Sequence, residues 1–327
     1  MSTSGRPKVL LMHPILDPGP AILAEAAEVL SYPTGRPLDE QSIRQAATGC
    51  VGIVSFLKDP IGQVVLSTPG LRCVSNVAVG FDNIDIPAAT ANKVWVTNTP
   101  GVLDDATADF AFALLMAAGR RIVEADMFAR QGHYKGWEID MMLGADVHDA
   151  TLGIIGIGRI GRGVARRAKG FNMRVLYSDT NPLPPDVEQQ IGATHVELSR
   201  LLAESDFISV HVPLTKETQH FLSTPQFAQM KKTAILVNTS RGPVVDEAAL
   251  VEALKSHRIA GAGLDVYERE PAIHPGLIGL PNVVLAPHIA SATTRTRSEM
   301  SAMAARNMAT AARGGRPPNA LNPEVKR

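Results

Sequence analysis

Residues 152–161 have the sequence LGIIGIGRIG, which combines an apolar run with three closely spaced glycines. Its apolar beginning predicts a strand, its glycines follow the pattern G-x-G-x-x-G at Gly156, Gly158 and Gly161, and residues 162–169 predict a helix. The first glycine would permit a tight turn, the second the approach of a pyrophosphate, and the third close packing of helix on strand. Unpaired N–H groups at the helix N-terminus would then face the phosphates, so a dinucleotide-binding fold is predicted.

An acidic residue stands where such a fold needs one. Residues 173–177 predict the next strand, and Asp179 follows it. A carboxylate there would accept hydrogen bonds from the ribose hydroxyls and would repel a 2′-phosphate. The next residues, Thr180, Asn181 and Pro182, include no arginine to hold that phosphate, so NAD is favoured over NADP. The alternative is that Asp179 only caps the turn before Pro182.

Short apolar runs alternate with helical patterns along the rest of the chain, which predicts parallel strands covered by helices. Helices are predicted at 21–30, at 293–312 and from about Asp104 to Arg121, where early acids and late arginines suit the helix dipole. The other strand candidates are 9–12, 51–55, 71–74, 94–96, 207–210, 234–237, 262–264 and 283–285. Two α/β units are therefore expected, the second opened by the glycine motif.

Composition excludes several classes of protein. The 327 residues are 45% hydrophobic and 20% charged, with 32 basic and 32 acidic side chains, so no net positive field favours nucleic acid or an anionic membrane. Two cysteines, Cys50 and Cys73, make neither a disulfide framework nor a zinc cluster, and no metal site is predicted. The apolar runs are too short for a membrane span or a signal peptide, so a cytoplasmic location is expected.

Further motifs occur in a fixed order along the chain. They are NVAVGFDNID at 76–85, TNTPGVL at 97–103, ATAD at 106–109, NTSRG at 238–242, GLDVYEREP at 263–271 and APHIAS at 286–291. With the glycine loop, they make residues 51 to 321 resemble the D-isomer-specific 2-hydroxyacid dehydrogenase family, most closely its glyoxylate/hydroxypyruvate reductase branch. The resemblance implies NAD(H)-dependent reduction of a small 2-oxo acid to the D-2-hydroxy acid.

The resemblance also implies a catalytic trio of Arg241, Glu270 and His288. Histidine titrates near neutrality, which suits a proton donor to the substrate carbonyl oxygen. Glu270 would favour the protonated ring and fix its tautomer, and the Arg241 fork would bind the substrate carboxylate. Taken singly, each has a plainer interpretation: a surface ion pair for Arg241, a loop acid for Glu270 and a histidine bonded to backbone for His288.

Other positions are implied by the same likeness. The substrate would contact Leu57, Val79 and Gly80 as well as Arg241 and His288. For His211 a strand-end histidine without a ligand role is the alternative. The cofactor contacts would be Thr107, Gly156, Gly158, Arg159, Ile160, Gly161, Asp179, His211, Val212, Pro213, Thr239, Ser240 and Asp265.

The family implies two Rossmann-like domains with parallel sheets. A flavodoxin-like substrate domain would comprise residues 1–100 and 290–327, an NAD-binding domain residues 101–289, and the active site the cleft between them. The helix from Asp104 and the segment around Trp137 would contribute to a homodimer.

Several relatives offer alternative functions. A D-lactate or D-3-phosphoglycerate type of dehydrogenase is one, although the chain length leaves no room for an extra regulatory domain. A phosphite dehydrogenase would have a lysine within residues 78–80, and a formate dehydrogenase a glutamine in place of Glu270. An NAD(H)-sensing corepressor on the same scaffold would keep the trio but carry long flanking extensions.

Overall fold

The computed structural model describes residues 5–326. The chain divides into two compact units, Met1–Leu103 with Ala292–Arg327 and Asp104–Ser291. The first unit is therefore built from both ends of the chain and the second from its middle.

Strands and helices alternate throughout. In chain order the strands are β1 (Lys8–Leu11), β2 (Glu28–Ser31), β3 (Gly52–Ser55), β4 (Cys73–Asn76), β5 (Trp95–Thr97), β6 (Thr151–Ile155), β7 (Arg174–Ser178), β8 (Ala193–His195), β9 (Phe207–Val210), β10 (Ile235–Asn238), β11 (Gly261–Leu264) and β12 (Val283–Leu285). The helices are α1 (Gly19–Ala26), α2 (Glu40–Ala46), α3 (Gln63–Leu66), α4 (Ile86–Ala91), α5 (Asp104–Gly119), α6 (Ile122–Arg130), α7 (Arg159–Ala168), α8 (Pro185–Ile191), α9 (Leu198–Glu204), α10 (Thr224–Phe227), α11 (Glu247–Lys255), α12 (Pro275–Ile278) and α13 (Thr294–Ala312).

The first unit contains a five-stranded parallel sheet in the order β2-β1-β3-β4-β5, which is the flavodoxin-like order. The helix predicted at 21–30 is wrong in its second half. The helix ends at Ala26, and Ala27 is extended. Val29 belongs to β2, where it pairs with Val9 of β1. Pairing with β1 satisfies the backbone of this edge segment and overrides its helical pattern.

Helix α13 covers one face of this sheet. The Ser75 hydroxyl on β4 donates to the Ala304 carbonyl at 2.9 Å, and Met308 and Ala304 are fully buried. The segment after α13 closes the sheet at β5, where the Leu321 N–H donates to the Val96 carbonyl at 2.8 Å and the Asn322 side chain accepts from the Val96 N–H at 2.9 Å. The last part of the chain thus completes a core begun by the first part.

The second unit contains a seven-stranded parallel sheet in the order β12-β11-β10-β9-β6-β7-β8. Counted from β6 this is the Rossmann order, and the strand order reverses between β6 and β9. The predicted fold class, α/β with two Rossmann-like parallel sheets, is confirmed. The sequence missed the three-residue strand β8, and the helix predicted to reach Arg121 ends at Gly119 because Arg121, at φ 52°, adopts the left-handed region before α6.

Two findings bear on the class of protein. Within residues 5–326 no helix combines the length and apolar character needed to cross a membrane. Over the same residues, no group of histidine, cysteine, aspartate or glutamate side chains is arranged to hold a metal ion.

Candidate active site

The glycine loop lies at the carboxyl end of β6, beside β9, where open α/β sheets bind ligands. Gly156 has φ +91°, and a Cβ there would lie 2.8 Å from the His211 carbonyl carbon. A Cβ on Gly161 would lie 2.3 Å from the Gly156 carbonyl oxygen, whereas one on Gly158 would meet nothing within 4 Å. Two glycines thus allow close packing, and the third leaves its side of the loop open.

Helix α7 begins directly after Gly158, so Arg159 and Ile160 form its first turn. The first N–H groups of a helix have no intrahelical acceptor and carry a positive partial charge. An open glycine followed by such a helix end fits a dinucleotide pyrophosphate.

Asp179 contacts this loop directly. Its Oδ2 accepts from the Ile157 N–H at 2.8 Å, and its Oδ1 accepts from the Asn181 N–H at 2.9 Å. The second bond is the turn cap that the sequence offered as an alternative. Because a carboxylate has about four acceptor positions, the cap leaves capacity for a ribose hydroxyl.

At the end of β9, His211 is bonded within its own unit. Its N–H donates to the Ile155 carbonyl at 2.7 Å, and Ser209 Oγ lies 2.8 Å from its Nε2. Although part of the residue is exposed, burial of the ring lowers the pKa of His211 to about 4, so the imidazole is neutral at neutral pH. Val212 and Pro213 continue the same segment beside Gly156. Both interpretations of His211, cofactor contact and strand-end histidine, stay predictions.

The end of β10 presents Arg241 on a turn built by Asn238. The Asn238 Oδ1 accepts from the N–H and the hydroxyl of Ser240, at 3.0 and 2.8 Å, and its Nδ2 donates to the Arg241 carbonyl at 3.0 Å. The hydroxyl of Thr239 is buried and has no partner among the described residues. A buried polar atom without a partner is costly. Thr239 therefore fits a bound group, and the nicotinamide half of a dinucleotide is the predicted one.

Asp265 follows β11 and is fully buried. Its two carboxylate oxygens accept from the Ile289 N–H at 2.7 Å and the Ala290 N–H at 2.8 Å. Burial raises the pKa of Asp265, and these two hydrogen bonds act in the opposite direction. Through these two hydrogen bonds, Asp265 fixes the backbone immediately after His288.

The structure places Glu270 and His288 in contact. The imidazole Nδ1 lies 2.8 Å from Glu270 Oε2, and Glu270 Oε1 accepts from the Tyr267 N–H at 3.0 Å. Because an ionised carboxylate only accepts, Nδ1 carries the donated proton and Nε2 is left as the exchangeable position. His288 has φ 54°, a left-handed value that non-glycine residues adopt only occasionally.

Several groups act on Glu270. Burial acts to raise the pKa of this carboxyl, but the hydrogen bond and charge of His288, the Tyr267 N–H and the charge of Arg241 outweigh it. The pKa of Glu270 is therefore lowered from its ordinary value. The carboxylate therefore stays ionised at neutral pH and accepts a hydrogen bond from the ring of His288.

The other predicted residues belong to further elements and segments of the two units. Thr107 is buried on α5. Leu57, Val79 and Gly80 belong to the first unit, where the N–H groups of Val79 and Gly80 have no acceptor among residues 5–326. Trp137 is 74% exposed. The substrate and dimer roles assigned to these residues stay predictions.

Sequence reasoning missed two residues that build the site. Asn238 shapes the turn of Arg241, and Tyr267 holds Glu270 while its own hydroxyl donates to the Ala286 carbonyl at 2.9 Å. Both lie inside motifs, at 238–242 and 263–271, in which the charged residues are the more obvious candidates. An asparagine at the end of a strand was the available signal, because its side chain commonly satisfies a following turn.

Known proteins are similar to this chain over nearly its whole length. The glyoxylate reductase of Korarchaeum cryptofilum (strain OPF8) is 52% identical over 324 residues, which cover 98% of this chain and 97% of the relative. The crystal structure of a glyoxylate reductase from Paecilomyes thermophila has a TM-score of 0.87 and 34% identity, covering 98% of this chain and 99% of that one.

A third similar protein was solved with ligands. The NADPH-dependent glyoxylate/hydroxypyruvate reductase of Sinorhizobium meliloti, in complex with NADP and malonate, has a TM-score of 0.88 and 31% identity over 99% of both chains. In addition, residues 112–290 match the family model described as D-isomer specific 2-hydroxyacid dehydrogenase, NAD binding domain. This chain belongs to the D-isomer specific 2-hydroxyacid dehydrogenase family.

Proposed function

We propose that the protein reduces glyoxylate to glycolate, or hydroxypyruvate to its D-2-hydroxy acid, with NADH. The observation that carries the proposal is the 2.8 Å contact of His288 with Glu270, on which the charge of Arg241 also acts. Similar proteins named glyoxylate reductase and glyoxylate/hydroxypyruvate reductase support this choice of substrate.

The roles of the three residues follow from their chemistry. NAD, when bound in reduced form, supplies the hydride. His288 gives the proton on Nε2 to the carbonyl oxygen, and Glu270 stabilises the imidazolium before that transfer. Arg241 neutralises the substrate carboxylate and polarises the carbonyl group. In the oxidative direction the same ring, now neutral, accepts the proton.

The test is loss of NADH absorbance with purified protein and a panel of glyoxylate, hydroxypyruvate, pyruvate and larger 2-oxo acids. Turnover fastest with glyoxylate or hydroxypyruvate supports the proposal. Preference for pyruvate or for a phosphorylated acid would favour a D-lactate or D-3-phosphoglycerate type of enzyme. NADH binding without turnover of any acid would favour an NAD(H) sensor.

Preference for NADH over NADPH is part of the proposal and rests on Asp179. Replacing Asp179 by asparagine keeps an acceptor for the Ile157 N–H but removes the charge that repels a 2′-phosphate. We expect kcat/KM with NADPH to rise roughly tenfold and that with NADH to fall. Asp186→Asn, an exposed change of equal charge on α8, is the control and is expected to leave the ratio unaltered. An unaltered ratio in Asp179→Asn would contradict the assignment.

The pH dependence of the reaction is predicted from Glu270. Because its pKa is lowered in the folded protein, its contribution is complete above the ordinary value of 4.5 and is lost as pH falls through the lower folded value. Reduction should therefore persist from neutrality into the acid range and decline only as the pH falls below the lowered pKa of Glu270. Oxidation, which needs a neutral ring, should rise with pH.

Initial rates measured in both directions across the pH range test this prediction. In Glu270→Gln the imidazolium loses its anionic partner, so the decline of reduction with rising pH should begin at lower pH than in the wild type, and the acid-side decline due to Glu270 should disappear. Superimposable profiles for the two proteins, with proton transfer rate-limiting, would remove Glu270 from the mechanism.

We also propose a homodimer. Large apolar side chains are exposed on α6 and in the segment after it, among them Ile122 at 50%, Met127 at 54%, Trp137 at 74%, Ile139 at 78% and Leu143 at 66%. Exposed apolar side chains this close together in the chain are typical of an association surface. Light scattering of the purified protein tests the stoichiometry. The predicted cytoplasmic location stays a prediction.

A further inference from the structure

Within the first unit, two residues of the segment after β4, Val79 and Gly80, have bound carbonyls and N–H groups that are unpaired among residues 5–326. The Val79 carbonyl accepts from Asn98 Nδ2 at 2.8 Å, and the Gly80 carbonyl accepts from Asn76 Nδ2 at 2.9 Å. Over residues 5–326 the N–H groups of these same two residues meet no acceptor. Successive unpaired N–H groups of this kind form a site for an anion such as a carboxylate.

Asn83 connects this segment to a second loop, residues 56–59. Its Nδ2 donates to the Phe56 carbonyl at 2.9 Å and to the Asp59 carbonyl at 3.0 Å, while its Oδ1 accepts from Asn76 Nδ2 at 3.2 Å. Asn76 is itself held by the Ser55 hydroxyl at 3.1 Å. Two amide side chains therefore couple the Val79–Gly80 backbone to the loop that contains Leu57.

Asp59 holds the same loop from within. Its side chain is fully buried, its Oδ2 accepts from the Phe56 N–H at 2.8 Å, and its Oδ1 accepts from His13 Nε2 at 2.8 Å. The His13 ring also packs edge-on against Phe56, with centroids 5.2 Å apart. Burying a carboxylate costs free energy unless its oxygens are hydrogen-bonded. One of the two bonds to Asp59 fixes the Phe56 N–H within this loop, and the other fixes the His13 ring that packs against Phe56.

We propose that Asn83 and Asp59 are positioning residues for the substrate. Asn83, through Asn76, sets the distance between the Val79–Gly80 N–H groups and the loop of residues 56–59. Asp59, together with His13, holds that loop in its observed conformation. They act through the backbone and do not themselves touch the reacting atoms. The inference rests on the proposed function, in which these two segments receive a 2-oxo acid by its carboxylate and its side chain.

Asn83→Asp is the sharpest test, because it keeps the shape and the acceptor for Asn76 but removes both donors and sets a carboxylate against two carbonyls. The control is Asn92→Asp. Asn92 lies in the same unit and its Nδ2 also donates to a carbonyl, that of Ala88 at 2.8 Å, as well as to Gln63 Oε1 at 3.3 Å. Both variants lose comparable bonds, but only one of them touches the two loops.

The measurements are the KM for glyoxylate, the inhibition constant of oxamate, which resembles a 2-oxo acid but is not reduced, and the dissociation constant of NADH. For Asn83→Asp we expect the first two to rise roughly tenfold, as for the loss of hydrogen bonds to a charged ligand, with a smaller change in kcat. NADH affinity should stay within about twofold, because the glycine loop is in the other unit. Asn92→Asp should alter none of the three.

Equal glyoxylate KM values in the two variants would overturn the inference, and so would a parallel loss of NADH affinity. If Asn83→Asp does not fold, Asn83→Ser, which reaches neither carbonyl and carries no charge, is measured in its place with the same expectations. Failure of the proposed function is recognised separately, since it would show as wild-type protein that turns over no 2-oxo acid.

Discussion

Replacing His288 by asparagine is expected to lower kcat for glyoxylate reduction by roughly a thousandfold, with little change in the dissociation constant of NADH. The variant loses the only group assigned to proton delivery. Asparagine is suited to this position because it tolerates the left-handed backbone better than most residues, and His288 has φ 54°. The loss should therefore report proton transfer and not a rearranged loop.

His257→Asn is the matched control. His257 is exposed and has φ 52°, so the same substitution is made on the same type of backbone away from the trio. Its kinetics should equal those of the wild type.

Arg241→Gln gives the complementary pattern, a rise in KM together with a fall in kcat, because it removes charge from the carboxylate site. A small and equal loss in the His288 and Arg241 variants would contradict both roles.

Gly242→Ala, which adds a single methyl group, should be the most damaging glycine-to-alanine substitution in the second unit. A Cβ at this position would lie 1.9 Å from the carbonyl carbon and oxygen of Tyr267 and 2.4 Å from the Glu268 nitrogen. These are backbone atoms that cannot rotate away, and they belong to the loop that holds Glu270. We expect a loss of about 3 kcal/mol in the free energy of unfolding. We also expect kcat to fall on the order of a hundredfold as Glu270 moves from His288.

Thermal melting and glyoxylate kinetics test both parts. The control is Gly170→Ala, since an added Cβ there meets nothing within 4 Å. That variant should change stability by no more than about 0.5 kcal/mol and leave kcat unaltered. Wild-type melting and activity in Gly242→Ala would show that the Tyr267 loop is free to move and that Gly242 does not constrain Glu270.

The parts of this fold that sequence predicts well are those set by local patterns. Strand β12 was predicted at its observed bounds and β9 likewise, because short β-branched runs between turns leave few alternatives. The glycine motif predicted a dinucleotide-binding fold, and it lies at the end of β6, where the strand order of the second sheet reverses. The contact of Glu270 with His288 was inferred only from the family resemblance, since 18 residues separate them in the chain.

What sequence could not predict depends on distant partners. Strand β2 is specified by its pairing with β1, and the edge strand β8 is too short to show a period. The place of Asp265 beside the nicotinamide stays a prediction; what the sequence does not show is that its two oxygens accept from the backbone after His288, 24 and 25 residues away. Asn83 lies inside the motif at 76–85, and the sequence does not indicate what its side chain contacts. Its donors reach carbonyls 27 and 24 residues earlier, which no local pattern encodes.

The position of α13 in the chain has a consequence for how the protein is made on the ribosome. The buried face of β4 meets Ala304, and β5 meets Leu321, so the sheet of β1 to β5 lacks this covering until residues 294–321 have been synthesised. All strands of the second sheet, β6 to β12, precede α13. Domains fold as units once their residues have emerged. The second unit therefore has all of its strands before α13 is made, and β1 to β5, although synthesised before those strands, are covered only afterwards.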